Sequence, residues 1–424
     1  MLEKIIKIWG IKDLRNKIFF VFGLLIIFRV AAHIPIPGVN LANLKEFFSR
    51  NEMLGMLNVL SGGAMANFSL VAMGVAPYIT ASIIVQLLTM IIPRLEELSK
   101  EGSAGYQKIN QYSRLLTVPL AIIQGYTMIM LFRQSAQAVI GDLSVMEMIN
   151  VLIVMTAGTV FLMWLGELIT EKKIGNGISL IIFAGIVEKL PISLQQAIAT
   201  FSSEQVVNLL ILTILSLITI AGVIIVTEGQ RNIPVTYARR IRGNRMYGGT
   251  DTYLPLKVNQ AGMIPIIFAI SIVLLPGLIG QLLTRADSGL MVKLGGFLTA
   301  IFQNQLIYGI IYFILVVVFT YFYTSIIFHP TQISEHLQKQ GGFIPGLRPG
   351  QPTTDYLART SNRIMLAGAL SLGLVAVLPV IVQNVFSFST FTIGGASVLI
   401  VVSVVLESVK QIQAQISMYE YERL

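Results

Sequence analysis

The chain has 424 residues, of which 54% are hydrophobic and only 12% are charged. A soluble domain carries roughly 25% charged residues, so this composition excludes an ordinary soluble protein and predicts a chain embedded in lipid. The chain has no cysteine and three dispersed histidines, which excludes disulfides, thiol chemistry and cysteine-based metal sites and gives no sign of a histidine metal cluster.

Ten apolar runs follow one another along the chain. Crossing a hydrocarbon core of about 30 Å takes roughly 20 helical residues. Runs near that length lie at about 18–34, 73–92, 115–132, 150–168, 177–190, 206–227, 259–280, 305–327, 364–383 and 391–409. The fifth run is short for a perpendicular span. The predicted fold class is an all-α polytopic membrane protein with ten transmembrane helices.

The basic residues predict the orientation. With a cytoplasmic N-terminus, 23 of the 30 Lys and Arg residues fall in cytoplasmic segments and six fall on the opposite side, while Arg29 lies inside the first span. This bias follows the positive-inside rule and places both termini in the cytoplasm. It also accounts for the net charge of +9 without nucleic acid. The N-terminus lacks a short apolar core with a cleavage site, so the first span is expected to remain as an anchor.

The ten spans divide into two halves of five, 1–190 and 191–424. Because five is odd, the second half enters the membrane from the opposite side to the first. Two such halves with a shared fold form an inverted repeat, which commonly places a pathway at the interface between them. The halves show no clear residue-level similarity, so this repeat is inferred from topology alone.

An interrupted apolar segment at 57–74 precedes the second span. It is interrupted by small and polar residues. Joined to the full-length span that follows, it would make a helix too long for the bilayer. Two interpretations stay open from the residues: a helix on the outer membrane surface, or a segment that enters part-way and turns back. The second requires burial in protein or contact with a cavity.

The second span contains Pro77 and the polar residues Thr80, Ser82 and Gln86. Small and polar side chains in a membrane helix usually face other helices, and ordinary helix packing explains most of this pattern. An unpaired amide is costly in lipid, so Gln86 is expected to face protein or water.

A glycine-rich turn, Gly175-Asn176-Gly177, opens the fifth span. Two glycines beside asparagine predict a sharp turn with positive φ. A phosphate-binding loop is the alternative, but the turn lacks the Walker spacing and its lysine.

Several of these stretches together resemble the SecY family of protein-conducting channels. The second span, MGVAPYITASIIVQLL, is similar to the family's second-helix signature, and LGELITEKKIGNGISLII is similar to its fourth-to-fifth-helix signature. The stretches RVAAHIPIPG, GQR, LPLKVNQAGMIP and GFIPGLRPGQ follow in the family's order. The resemblance extends essentially from end to end of the chain.

The resemblance implies two five-helix halves that close like a clamshell around a central hourglass pore. It assigns the pore ring to Val75, Ile79, Ile178, Ile182, Ile267 and Ile400. Spacing alone gives plain core packing as the commoner role of such aliphatic residues. An apolar constriction suits a channel because it gates by dewetting and offers ions no coordinating oxygens.

The same resemblance assigns a plug and a lateral gate. The plug is a short helix within about 57–70, below the ring, with the residues Gly62, Gly63, Ala64, Met65, Ala66 and Asn67. The lateral gate lies between the second and seventh spans, with Thr80, Gln86 and Asn259 as polar contacts that hold it shut. Membrane hydrogen bonds of about 0.6 kcal/mol each give a contact weak enough to open.

The long loops at about 228–258 and 328–363 resemble those that dock the SecA motor and the ribosome. Contact positions are Arg239, Arg240 and Arg348. Ribosomal RNA would meet these arginines through phosphates, with strong salt dependence, whereas a purely topogenic role is the alternative from charge alone. The resemblance also implies SecE and SecG as partner subunits, signal-bearing precursor polypeptides as substrates, surrounding lipid, and the bacterial inner membrane as the location.

The sequence disfavours two other function classes, a secondary transporter and an intramembrane enzyme. A secondary transporter usually carries ionisable residues at mid-membrane, and these spans are nearly free of them. An intramembrane enzyme needs a nucleophile and base or a metal site, and the sequence presents no such set. We therefore predict a passive conduit without catalytic residues or cofactors, driven by its partners.

Overall fold

The computed structural model describes residues 9–37, 39–50, 58, 61–133, 139, 141, 144–199, 206–237, 240–242, 245–247, 251–284, 288–386 and 395–422. The chain is mostly helical. Its helices are α1 (Lys12–His33), α2 (Leu41–Arg50), α3 (Ala76–Ile91), α4 (Pro93–Lys100), α5 (Ser103–Arg133), α6 (Val145–Glu171), α7 (Gly177–Ala199), α8 (Val206–Glu228), α9 (Ile264–Leu283), α10 (Gly289–Gln303), α11 (Gln305–Ile327), α12 (Pro330–Lys339), α13 (Gln351–Phe386) and α14 (Gly395–Glu422). Its strands are β1 (Gln230–Tyr237), β2 (Arg240–Arg242), β3 (Arg245–Tyr247), β4 (Asp251–Lys257) and β5 (Gly342–Phe343).

Each of the ten predicted apolar runs coincides with a helix over most of its length. Within the described residues, five helices are long and apolar enough to cross a membrane, or six if α3 and α4 form one bent span. The five are Ala104–Arg133, Val145–Glu171, Gln305–Lys339, Gln351–Leu378 and Ser397–Glu420. The chain thus has the helices of a polytopic membrane protein, and the count of ten spans stays a prediction.

Proline sets the two ends of the second span. Pro77 lies in the first turn of α3, where its missing N–H breaks no helical hydrogen bond. Pro93 begins α4, and the chain bends by 101° between the two helices. The residue before a proline avoids the helical conformation, and Ile92 is accordingly extended, with φ −98° and ψ 111°.

The fifth apolar run is longer as a helix than its hydropathy suggests. α7 begins at Gly177, as predicted, and continues to Ala199. Pro191 lies inside this helix, which is where the apolar run ends in the sequence. Hydropathy therefore located the start of this helix but not its end.

The structure divides into two compact units. The first comprises Met1–Ser203, Ile270–Gln305 and Ile400–Leu424. One of its cores forms around buried Phe68, whose ring packs edge-on against Phe132 of α5 at a centroid distance of 5.7 Å. Met65 and Met155 belong to the same core, so the segment before α3 is packed into this unit.

At the predicted cytoplasmic side of this unit, α14 forms hydrogen bonds with the C-terminal end of α6 and the N-terminal end of α1. The Gln415 amide donates to the carbonyl oxygens of Lys172 (3.3 Å) and Lys173 (2.5 Å). The Tyr419 hydroxyl donates to Asp13, which also pairs with Lys17 at 2.6 Å. The hydrogen bond from Lys17 is the largest cause that holds the pKa of Asp13 below its ordinary value, and the hydrogen bond from Tyr419 is the second.

The second unit comprises Glu204–Ala269 and Leu306–Leu399. It contains a three-stranded sheet in the order β4-β1-β5, which the helical prediction did not include. β1 and β4 pair antiparallel, with Ile233 opposite Leu254. Their buried face joins α12 and α13 in a small core that contains Ile233, Val235, Leu256, Leu337, Ile344 and Leu357. The two long loops predicted to be cytoplasmic therefore fold together.

An additional apolar helix, α10, follows α9 in a region predicted to be an outside loop. It has 15 residues, which gives a length of about 22 Å and is short for a span. Backbone contacts hold it against α9, since a Cβ on Gly295 would lie 2.7 Å from the Gly280 carbonyl oxygen. The run was missed because Lys293 and a glycine pair interrupt it.

Candidate functional site

The 61–67 segment forms tight turns that end in a 3-10 helix (Met65–Asn67). The Ser61 hydroxyl donates to the Asn58 carbonyl oxygen (2.9 Å) and accepts from the Met65 backbone N–H (3.1 Å). The Asn58 side-chain oxygen accepts from the Ala66 N–H at 3.0 Å. Polar side chains thus form hydrogen bonds with the backbone of this segment, which is too short to pair its own N–H and C=O groups as an α-helix does.

Two glycines allow this segment to pack backbone against backbone. Gly62 and Gly63 have φ values of +67° and +85°, which favour glycine. A Cβ on Gly62 would lie 2.7 Å from the Phe28 ring, and a Cβ on Gly185 of α7 would lie 2.1 Å from the Gly62 Cα. Any side chain at Gly62 or Gly185 would therefore displace the segment or a neighbour.

The segment also adjoins two positions that precede predicted ring residues. A Cβ on Gly74, next to Val75, would lie 2.3 Å from the Ser61 Cα. A Cβ on Gly62 would lie 3.4 Å from the carbonyl oxygen of Ile181, the residue before Ile182. The 61–67 segment therefore packs between the start of α3 and the middle of α7.

A charged cluster from α1 and α7 also contacts the segment. The Arg29 Nη1 group donates to the Gly62 carbonyl oxygen at 2.8 Å. The same guanidinium forms an ion pair with Glu188 of α7, and His33 Nε2 lies 3.1 Å from the Glu188 carboxylate. The Asn67 amide donates to the Ala32 carbonyl oxygen at 3.3 Å. The last turns of α1 thus contact both ends of the segment.

Most of the residues predicted for the pore ring are buried. Val75, Ile79, Ile182 and Ile400 belong to the first unit and are each less than 5% exposed. Ile178, also in this unit, is partly exposed. Ile267 lies in the second unit and is 4% exposed. Burial is what both a closed ring and plain core packing predict, so the ring stays a prediction.

Two of the residues predicted for the lateral gate, Thr80 and Asn259, form hydrogen bonds within their own units. Thr80 donates to the Ala76 carbonyl oxygen (3.0 Å) and accepts from Gln124 of α5 at 3.4 Å. The Asn259 amide donates to the Gly262 carbonyl oxygen at 3.0 Å and so closes the turn before α9. Within the described part of the chain, the side-chain oxygens of Asn259 and Gln86 are buried without a hydrogen-bond partner. Both are therefore available for a further polar contact.

The residues predicted to dock partners differ in what the structure describes. Arg239 lies outside the described residues, and Arg240 belongs to strand β2. Arg348 is exposed in the loop between β5 and α13. Its carbonyl oxygen accepts from the Thr353 hydroxyl at 2.9 Å, so the backbone of this loop is fixed to α13 while the guanidinium faces outward.

The glycine-rich turn before α7 has a different basis from the one predicted. The expectation of positive φ at Gly175 or Gly177 was wrong, because the left-handed residue of this turn is Lys173, with φ +56°. The glycines serve close packing instead, since a Cβ on Gly177 would lie 1.8 Å from the Gly166 carbonyl oxygen. Asn176 accepts from the Ser179 N–H at 3.2 Å and caps α7.

Sequence reasoning missed Glu188, the partner of Arg29 in this cluster. The signal was Arg29, because a charged residue inside a span normally pairs within the protein. The residues described contain no group of three or more His, Cys, Asp or Glu side chains that could hold a metal ion.

Comparison with known proteins identifies the fold and the family. The SecY family model matches residues 69–409. The chain belongs to the SecY family. The SecY translocase subunit of Mycobacterium tuberculosis is 44% identical, over 97% of this chain and 96% of that protein. The SecY subunit of Streptomyces galbus is 43% identical, over 100% and 99%.

Solved structures share the fold at lower identity. The structure of a protein-conducting channel is 18% identical, with a TM-score of 0.63, and covers 94% of this chain and 91% of its own. A SecY structure whose plug domain stabilises the closed state and maintains a membrane seal is 19% identical, with a TM-score of 0.61, and covers 92% and 90%. SecY proteins are channel subunits of the translocase rather than enzymes, and this member is an integral membrane protein.

Proposed function

We propose that this SecY-family chain is the channel-forming subunit of a protein translocase in the bacterial inner membrane. It passes unfolded precursor polypeptides across the bilayer and releases hydrophobic segments sideways into lipid. The observation that carries this proposal is the 61–67 segment, which packs through glycine backbones at Gly74 and Gly185 beside the positions of Val75 and Ile182. We call this segment the plug, and we infer that it leaves when a polypeptide enters.

The proposed pore ring consists of the six aliphatic residues Val75, Ile79, Ile178, Ile182, Ile267 and Ile400. Branched apolar side chains give a translocating backbone no hydrogen bond at which to stop, and they close around chains of different width. The same ring excludes ions by dewetting when it is empty. Conduction and sealing therefore follow from one set of side chains.

The lateral gate is proposed to lie between α3 and α9. Thr80, Gln86 and Asn259 supply polar groups at this gate, and the unpaired oxygens of the two amides support a role in contacts that form and break. Hydrogen bonds between membrane helices are worth about 0.6 kcal/mol on average. A few such bonds keep a gate closed without making it costly to open.

The channel needs partners for energy and assembly. We propose SecE and SecG as companion subunits, SecA or the ribosome as the driving partner, and both termini in the cytoplasm. The sheet and helices that unite the two long loops support a docking surface, because they present the exposed Arg348 on a folded base. Contacts with ribosomal RNA phosphates would weaken with salt.

Transport into vesicles tests this function directly. The chain is reconstituted with SecE in proteoliposomes and supplied with SecA, ATP and a secretory precursor. We expect the precursor to become protected from added protease, whereas a precursor without its signal sequence stays accessible. A folded complex that binds SecA and protects no precursor contradicts the proposal. That result would favour the alternative function, transport of a small solute.

Replacing Arg348 with glutamate is expected to weaken partner docking without unfolding the chain. Its side chain is exposed, and surface substitutions usually change stability by less than about 0.5 kcal/mol. Charge reversal should lower SecA-driven transport about tenfold and reduce the salt dependence of ribosome binding. Arg359→Glu on α13 is the matched control in the same charged region. Equal transport by the wild-type and R348E complexes, at equal melting temperature, contradicts the docking role.

A further inference from the structure

Arg29 is the one basic residue assigned to the interior of the first predicted span, so its charge requires compensation within the protein. The structure supplies two partners at once: Nη1 donates to the Gly62 carbonyl oxygen, and Nη2 pairs with the Glu188 carboxylate. The Arg29 side chain is 19% exposed and the Glu188 side chain 32%, so this pair is more shielded than an ordinary surface pair.

The two contacts of Arg29 differ in what they join. The ion pair joins helices α1 and α7, whereas the hydrogen bond joins α1 to the plug backbone. The acceptor of this hydrogen bond is the Gly62 carbonyl oxygen, which belongs to the plug, so the bond breaks when the plug moves. Glu188 keeps the guanidinium aimed at the plug, and its own carboxylate oxygen would lie 3.7 Å from a Cβ on Gly63.

Arginine suits this position because its planar fork donates to two acceptors in fixed directions, which a lysine ammonium does less well. Two further contacts from the same turns of α1 act alongside it. The Phe28 ring covers Gly62, and the Ala32 carbonyl oxygen accepts from Asn67 at 3.3 Å.

We propose that Arg29 is a latch that keeps the plug packed in the idle channel, and that Glu188 is the residue that positions it. This inference rests on the proposed function of the 61–67 segment as a plug. It predicts that loss of either charge raises the fraction of idle complexes with an unpacked plug, while the helices that surround the plug stay folded.

The native chain has no cysteine, so a single introduced thiol reports plug packing cleanly. Ala64 lies in the plug and is fully buried, so Ala64→Cys should react with a maleimide only when the plug leaves. Ala121 of α5 is equally buried, so Ala121→Cys reports unfolding of the unit instead. Both variants are prepared in the full complex in membranes.

In the Ala64→Cys background, Arg29→Gln and Glu188→Gln should each raise the idle labelling rate about tenfold, with Arg29→Lys in between. Labelling of Ala121→Cys should not change. Arg114→Gln, which removes another ion pair of the same unit (2.5 Å to Glu167), is the matched control and should leave Ala64→Cys protected. Unchanged labelling of Ala64→Cys in R29Q and E188Q overturns the latch.

The same thiol separates failure of the latch from failure of the plug. During active transport by the otherwise native complex, labelling of Ala64→Cys should rise. If it rises while R29Q leaves the idle rate unchanged, the plug proposal stands and the latch is wrong. If transport proceeds and Ala64 stays protected, the segment does not leave the channel, and the plug and the latch both fail.

Discussion

Gly185→Val is expected to force the plug out of its position and make the idle complex permeable to ions. A Cβ at Gly185 would lie 2.1 Å from the Gly62 Cα and 2.3 Å from the Gly62 carbonyl oxygen, and these are backbone atoms that cannot rotate away. Overpacking typically costs 1–3 kcal/mol, and backbone overlap places this variant near the upper end, at about 3 kcal/mol. A free-energy change of that size shifts the equilibrium constant between the packed and unpacked plug by roughly a hundredfold.

Ion current across planar bilayers that contain the idle complex measures this effect, and thiol labelling of Ala64→Cys measures it independently. Gly23→Val in α1 is the matched control, because a Cβ there meets nothing within 4 Å. The control should leave both the current and the labelling at the parent level. A G185V complex with parent-like current and labelling would show that the plug does not depend on this backbone contact.

Gly177→Ala is expected to destabilise the whole first unit by about 3 kcal/mol or more. The added Cβ would lie 1.8 Å from the Gly166 carbonyl oxygen and 2.6 Å from its carbon. Thr170 bridges the same pair, since its hydroxyl donates to the Gly166 carbonyl oxygen (2.8 Å) and accepts from the Gly177 N–H (2.9 Å). Moving α7 to relieve the overlap therefore also breaks these hydrogen bonds.

The measurement is the thermal unfolding midpoint of the complex in detergent. Gly296→Ala in α10 is the matched control, because it is also a helical glycine but has open space at its Cβ. There, alanine should stabilise by up to about 1 kcal/mol through its higher helix propensity. The two substitutions should therefore have opposite signs, and equal midpoints would contradict the packing role of Gly177.

The sequence predicted most of the helices because a lipid-embedded helix must be apolar over a fixed length. That rule located α11 to the residue and placed the start of α7 at Gly177. It failed where charge or glycine interrupts a helix that is short for a span, as in α10 with Lys293. It could not predict the strands of the second unit, which depend on long-range pairing between β1, β4 and β5.

The candidate site was only partly predictable for a similar reason. The small residues at 62–67 are visible in the sequence, but their partners Phe28 and Gly185 are distant in the chain. Arg29 signalled that a charged partner was needed, whereas nothing local marks Glu188 as that partner. Whether aliphatic side chains from distant helices form a ring is a tertiary property, so the proposed ring residues can be chosen only by resemblance to a family.

A photocrosslinking residue at Ile79 tests the central claim that a polypeptide crosses the membrane at the proposed ring. The chain is reconstituted with SecE and presented with a stalled secretory precursor, and Ile153, which is 61% exposed on α6, serves as the lipid-facing control. We predict adducts at Ile79 that require the signal sequence, and none at Ile153. A folded complex that engages its motor or ribosome and yields no signal-dependent adduct at Ile79 would contradict the pore assignment.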